Sequence, residues 1–176
     1  MRNVKIQKIT FLSLMTASAI VLSFLESIIP AASFMPPGSK IGLSNIVVMF
    51  AASTLGFVPT LFIVIAKSVF ALLTRGITAA LMSLAGGMLS ALCLLLIFKK
   101  AKFIGSIGTG VISASAHNIG QLMVSLLMMK TLAVLGYAPV MLIASVGTGI
   151  LTGILFRVSE PYLNKLNTNL TRGIKK

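Results

Sequence analysis

Between residues 9 and 156 the chain is almost purely apolar, in runs long enough to be helices that cross a bilayer, which takes about 17–25 residues. Four runs are plain, at roughly 9–29, 77–98, 103–129 and 137–157. The stretch 41–73 admits two readings: one long tilted helix, or two short ones joined at Gly56-Phe57-Val58-Pro59. Glycine suits the end of a helix and proline the first turn of the next, which sets the two short spans at 42–56 and 58–74.

Charge chooses between five spans and six. With six, Arg2, Lys5, Lys8, Lys99, Lys100, Lys102 and the five basic residues of the tail fall on one side. Only Lys40, Arg75 and Lys130 fall on the other, with Lys67 inside the membrane. With five, the Lys99-Lys100-Lys102 cluster and the basic tail would be external. Cytoplasmic loops carry the excess of Lys and Arg, so the pattern predicts six transmembrane helices with both termini cytoplasmic. The expectation is an all-α integral membrane protein, a single domain over 1–176 with a basic tail at 158–176, read as a short interfacial or disordered end. The N-terminal basic residues followed by an apolar run resemble a signal peptide. No small-x-small cleavage site follows, so the run is read as an uncleaved first helix.

Composition narrows the classes. A chain 57% hydrophobic and 10% charged leaves too little polar surface for a soluble domain. Fifteen basic residues against Glu26 and Glu160 give a net charge of +13. Because the cations sit at the ends of apolar spans, they imply anionic headgroups of the lipid bilayer and no nucleic acid. The single Cys93 cannot form an internal disulfide and reads as a small core residue. No Walker loop, no aspartate and no cluster of metal-ligating residues is present. Neither catalytic residues nor a metal or cofactor site is expected, and the chain reads as not an enzyme.

Ionisable groups at membrane depth are costly, and those that persist line a cavity, pair with one another or bind a solute. Glu26 is the one acid at such depth, facing Lys40, Lys67, Arg75 and His117. Lys67 admits three readings: snorkelling to an interface, a structural pair with Glu26, or holding an anionic solute. Ser113, His117, Gln121 and Ser125 recur at four-residue steps, with Asn118 beside them, on one face of the fifth span. Ligand contact and hydrogen bonding between helices explain that face equally well. Asn45, just inside the second span, needs a partner or a ligand. The outer half holds more positive than negative charge, which favours a carboxylate- or phosphate-bearing solute. The stiff connection at 30–42, with Pro37, Gly38 and Gly42, is a natural lid over an outward-facing pocket. Gly149-Ile150-Leu151-Thr152-Gly153 is a literal small-xxx-small pattern, which lets helix backbones approach closely.

The segment Pro37-Gly38-Ser39-Lys40-Ile41-Gly42-Leu43-Ser44-Asn45-Ile46-Val47 resembles the signature of the Gx transporter family, also labelled heptaprenyl diphosphate synthase component I. The run Ala19 to Glu26 fits that family's first helix and Ser115 to Gln121 its fifth, so the resemblance covers nearly the whole chain. The family is similar in size and layout to the S-components of energy-coupling factor transporters. The resemblance implies an S-component-like bundle in a bacterial cytoplasmic membrane, capturing a small vitamin or cofactor precursor from outside. It further implies a shared transmembrane coupling subunit, two cytoplasmic ATPases, and a docking face of small residues on the first helix, here Ser13, Ala17 and Ala19. The expected solute contacts are Lys40, Asn45, Lys67, Arg75, His117, Asn118 and Gln121, with Glu26 as counter-ion. The synthase label implies an alternative: a non-catalytic membrane accessory of prenyl-diphosphate or quinone synthesis, or of flavin-based electron transfer. Chain elongation by such synthases uses paired aspartate-rich motifs, which this sequence lacks.

Overall fold

The computed structural model describes residues 2–28, 42–101 and 103–172, all built around helices. They are α1 (Arg2–Ile28), α2 (Asn45–Thr54), α3 (Phe57–Arg75), α4 (Ile77–Lys100), α5 (Ser106–Met129) and α6 (Ala138–Arg172), with a 3₁₀ segment at Leu132–Tyr137. Five of the helices are long and apolar enough to cross a membrane, and α2 is the exception. At 10 residues α2 is about 15 Å long, half of a hydrocarbon core about 30 Å thick.

The break between α2 and α3 falls where the sequence puts it. Gly56 adopts φ 85°, ψ −165°, a region essentially closed to residues with a Cβ, and Pro59 follows in the first turn of α3. Gly76 repeats the device with φ 84°, ψ −177°, folding α4 back on α3 through a single residue. Arg75 in the last turn of α3 complements the partial negative charge of that helix end.

Chain direction follows from what meets at each end. Glu26 near the end of α1 accepts hydrogen bonds from the start of α2, beside Arg75 at the end of α3 and Ala79 at the start of α4. At the opposite end Phe50 of α2 packs against Phe11 of α1 and Phe156 of α6, and Phe156 against Phe98 of α4, with ring centroids 6.1–6.4 Å apart. Successive helices therefore run in alternating directions, and α2 is the short return.

The most extensive packing is α5 on α6 and α4 on α5. Glycine makes both possible. A Cβ on Gly153 would stand 2.6 Å from the Ile107 Cα, and one on Gly120 would stand 2.7 Å from the Ala85 carbonyl oxygen. The Gly149–Gly153 pair thus serves internal packing of α6 on α5. The distribution of polarity is that of a membrane protein. Phe24, Phe62, Leu73, Leu96, Leu127 and Ile143 are exposed, while Thr60, Lys67, Ser90, Asn118 and Gln121 are buried.

Two expectations need revision. The tail does not leave the helix at residue 158: α6 continues through Pro161 to Arg172. Proline removes one hydrogen bond, to the Arg157 carbonyl, but the leucines and lysine that follow are good helix formers. Ala19, expected on a docking face, is fully buried in the core. Ser13 and Ala17 are exposed, so the free face of α1 is theirs, with Leu14, Val21 and Phe24.

Candidate functional site

Four helices deliver polar side chains to one small cavity beside the α1 C-terminus. Its lining is Ser23 and Glu26 of α1, Ser44 ahead of α2, Lys67 and Arg75 of α3, Ala79, Met82 and Ser83 of α4, and His117 and Gln121 of α5. The free space among them is about 10 Å³, room for one water.

Glu26 organises the entrance to α2. One carboxylate oxygen accepts the Leu43 backbone N–H and the other accepts the Ser44 hydroxyl at 3.1 Å. A carboxylate here also faces the partial positive charge of the α2 N-terminus. Its charge acts on both Lys67 and Arg75, yet no ion pair within 4 Å joins it to Lys67. Lys67 is buried in the middle of α3 and cannot snorkel, so that reading falls.

His117 owes its position to two glycines. A Cβ on Gly86 would lie 2.7 Å from the His117 carbonyl oxygen and 2.9 Å from its imidazole Nδ1 and Cε1. Gly42, with φ 92°, borders the opposite ring edge, since a Cβ there would lie 3.4 Å from His117 Cδ2. The same Cβ would be 3.1 Å from Asn45 Nδ2. Asn45 is buried, and neither its Nδ2 nor its Oδ1 has a hydrogen-bond partner among the described residues.

The polar face of α5 divides between the two roles that the sequence left open. His117 and Gln121 line the cavity. Ser113 shares a 2.8 Å hydrogen bond with Ser90 of α4, and Ser125 donates to the Gln121 carbonyl of its own helix. Asn118 turns away and donates to the Met141 carbonyl at 2.9 Å, joining α5 to α6. Of the expected contacts, Glu26, Lys67, Arg75, His117 and Gln121 therefore converge, whereas Asn45 and Asn118 are not among the residues that line the cavity. Lys40, Pro37 and Gly38 lie outside the described residues, and so does most of the expected lid.

Ser23, Ser44 and Ser83 were not singled out from the sequence. Ser23 was findable, being one helical turn before Glu26 and hence on its face. Ser44 sits inside the quoted signature. Ser83 carries no sequence signal, because only the packing of α4 brings it in.

Buried charges inside a body whose outer surface is apolar define a multi-pass helical membrane protein with an internal polar site. The chain belongs to the family described as heptaprenyl diphosphate synthase component I, which it matches over residues 15–158. Comparison with curated proteins gives no match, and comparison with solved structures gives none.

Proposed function

We propose that this protein is the solute-capturing membrane subunit of an importer of the energy-coupling factor type. The solute is a small anionic vitamin or cofactor precursor taken from the outer side. One observation supports this above all: Lys67 and Arg75 of α3 and His117 and Gln121 of α5 converge with Glu26 of α1, in an otherwise apolar body. The buried Lys67 and the half-buried Arg75 beside a single carboxylate suit a site that receives an anionic solute.

In this reading six spans cross the membrane with both termini cytoplasmic, α2 serving as the short second span. Ser13 and Ala17 on the free face of α1 dock a shared transmembrane subunit. Two cytoplasmic ATPases supply the energy, since the chain has no nucleotide-binding loop. Solute binding shifts the population from this narrow cavity, with room for one water, to an arrangement in which its walls have parted.

A second reading is favoured by the family's description: a non-catalytic membrane accessory of a prenyl-diphosphate synthase. The absence of aspartate from the sequence argues for an accessory rather than a catalytic role. Gentle purification of the tagged chain from its native membrane, with mass spectrometry of what accompanies it, separates the two. Two ATPases with a multi-span protein support the importer, and a prenyl synthase without ATPases supports the accessory. Lys67→Ala is expected to insert normally but to lose solute binding. Unchanged affinity in a detergent binding assay removes Lys67 from the site.

A further inference from the structure

The α2–α3 joint leaves a recess in the surface of the bundle, at the end opposite Glu26. α2 closes on small residues, Ala51-Ala52-Ser53-Thr54, beside larger side chains of α3 and α4. The result is a groove of about 550 Å³. The buried Ala52 and half-buried Ser53 form its floor, and the exposed Phe57 of α3 forms one wall. The other wall is one face of α4, where Leu92, Leu95, Leu96 and Lys99 follow at steps of three and four residues. At a helical rise of about 1.5 Å per residue, the groove runs about 10 Å from Lys99 into the apolar belt.

Polarity is confined to one end. The Ser53 hydroxyl is taken up by the Phe50 carbonyl of its own helix at 2.8 Å, so the groove is apolar as far as Lys99. Lys99 and Lys100 are exposed in the last turn of α4, where both answer the partial negative charge of that helix end. Of the two, Lys99 also lines the groove. No acid lies on α2, α3 or α4. Glu26 is at the far end of the bundle, and no ion pair joins Lys99 to Glu160 among the described residues.

A recess walled by leucine and phenylalanine and open to a bilayer is filled by hydrocarbon. A lysine at its mouth, level with the headgroups, selects what that hydrocarbon is attached to, because basic pockets between membrane helices favour anionic heads. A partner helix would fill the apolar part but would leave Lys99 unanswered unless it brought an acid to that one point. An anionic phospholipid supplies both parts in the order in which the groove asks for them. We infer that this groove holds such a lipid, one acyl chain against Leu92, Leu96 and Phe57 and the phosphate on Lys99. The lipid belongs there under either reading of the protein's function, since the groove and the Glu26 cavity share no residue.

The sequence has no tryptophan, so a single introduced indole reports on the site. Phe57→Trp places it on the groove wall by a conservative change, and Phe62→Trp places it on the exposed face of the same helix as a control. Each full-length variant is reconstituted in phosphatidylcholine vesicles. A minor fraction of either phosphatidylglycerol or phosphatidylcholine with brominated acyl chains, which quench indole fluorescence on contact, is then included. One lysine near the headgroups is worth about fivefold in anionic-lipid occupancy, so with Phe57→Trp the brominated phosphatidylglycerol should reach half-maximal quenching at about one-fifth the mole fraction. With Phe62→Trp the two lipids should quench alike. Adding Lys99→Gln, a surface change, is expected to remove the preference at residue 57. Adding Lys130→Gln, at the other end of the bundle, is expected to leave it. The same preference at residue 62 would mean general attraction to a basic chain, and it overturns the site. A preference that survives Lys99→Gln overturns it as well. Weak quenching at residue 57 by both lipids would mean that a second copy of the chain covers the groove, and it rules out lipid as the occupant.

Discussion

Gly86 and His117 show how much of the site depends on a missing side chain. The imidazole stands where it does because α4 offers no Cβ at residue 86, and its neighbour Gly120 lets α5 come close enough to fill the space. Gly86→Ala places a methyl 2.7 Å from a backbone oxygen, which cannot move without shifting α5. The expected cost is about 1–3 kcal/mol, the range for overpacking, together with displacement of the imidazole. Thermal unfolding in detergent checks the first, and the histidine resonance in an NMR spectrum the second. An unshifted resonance with full stability would mean that the helices have slack there. Little of this was readable beforehand. The pairing of these glycines with one histidine across two helices is a property of packing.

At the scale of elements, the two glycines at the helix joints do different work from those inside the helices. Gly56 has open space around it, so Gly56→Ala meets no obstacle, and its effect isolates the backbone conformation. A residue with a Cβ in that region is strained by about 1–3 kcal/mol. A fall in thermal stability of that size is the expected outcome, whereas none would show that the α2–α3 joint relaxes freely. Gly153→Leu acts through contact instead, because the new side chain meets the α5 backbone at Ile107. It is expected to loosen α6 from α5 and to lower stability more than Gly56→Ala does, measured in the same melt. The joint at residue 56 was legible from Gly56 and Pro59, and the α5–α6 seam from the Gly149–Gly153 spacing. Local chemistry dictates both. The length of α2 was not, because Leu43 and Ser44 are held by Glu26 and the helix starts only after them.

For the whole molecule, the alternation of helix direction puts Ala101 and Thr131 at opposite ends of the bundle. In a Cys93→Ser background, Thr131→Cys is expected to react with a membrane-impermeant maleimide added to intact cells. Ala101→Cys should react only after the membrane is opened. The reverse pattern would invert the orientation that the basic residues predict. The exposed belt of leucine, isoleucine and phenylalanine on α1 and α3 to α6 belongs to the bilayer, apart from whatever part of α1 a partner covers.

What the residues determined by themselves is what composition and spacing can carry. An apolar chain whose polar atoms must be satisfied internally has to be helical in a membrane, and Gly56 and Pro59 must divide the second long run. Ionisable residues at such depth had to turn inward, so Glu26, Lys67 and Arg75 were candidates before any coordinates. Tertiary structure alone decided which of them meet. It gave both oxygens of Glu26 to the start of α2 and sent Asn118 to α6 while His117 and Gln121 entered the cavity. It also left Asn45 without a partner among the described residues. The reason is physical. Helical periodicity fixes which side chains share a face, but the neighbour of that face is chosen by contacts between helices distant in sequence.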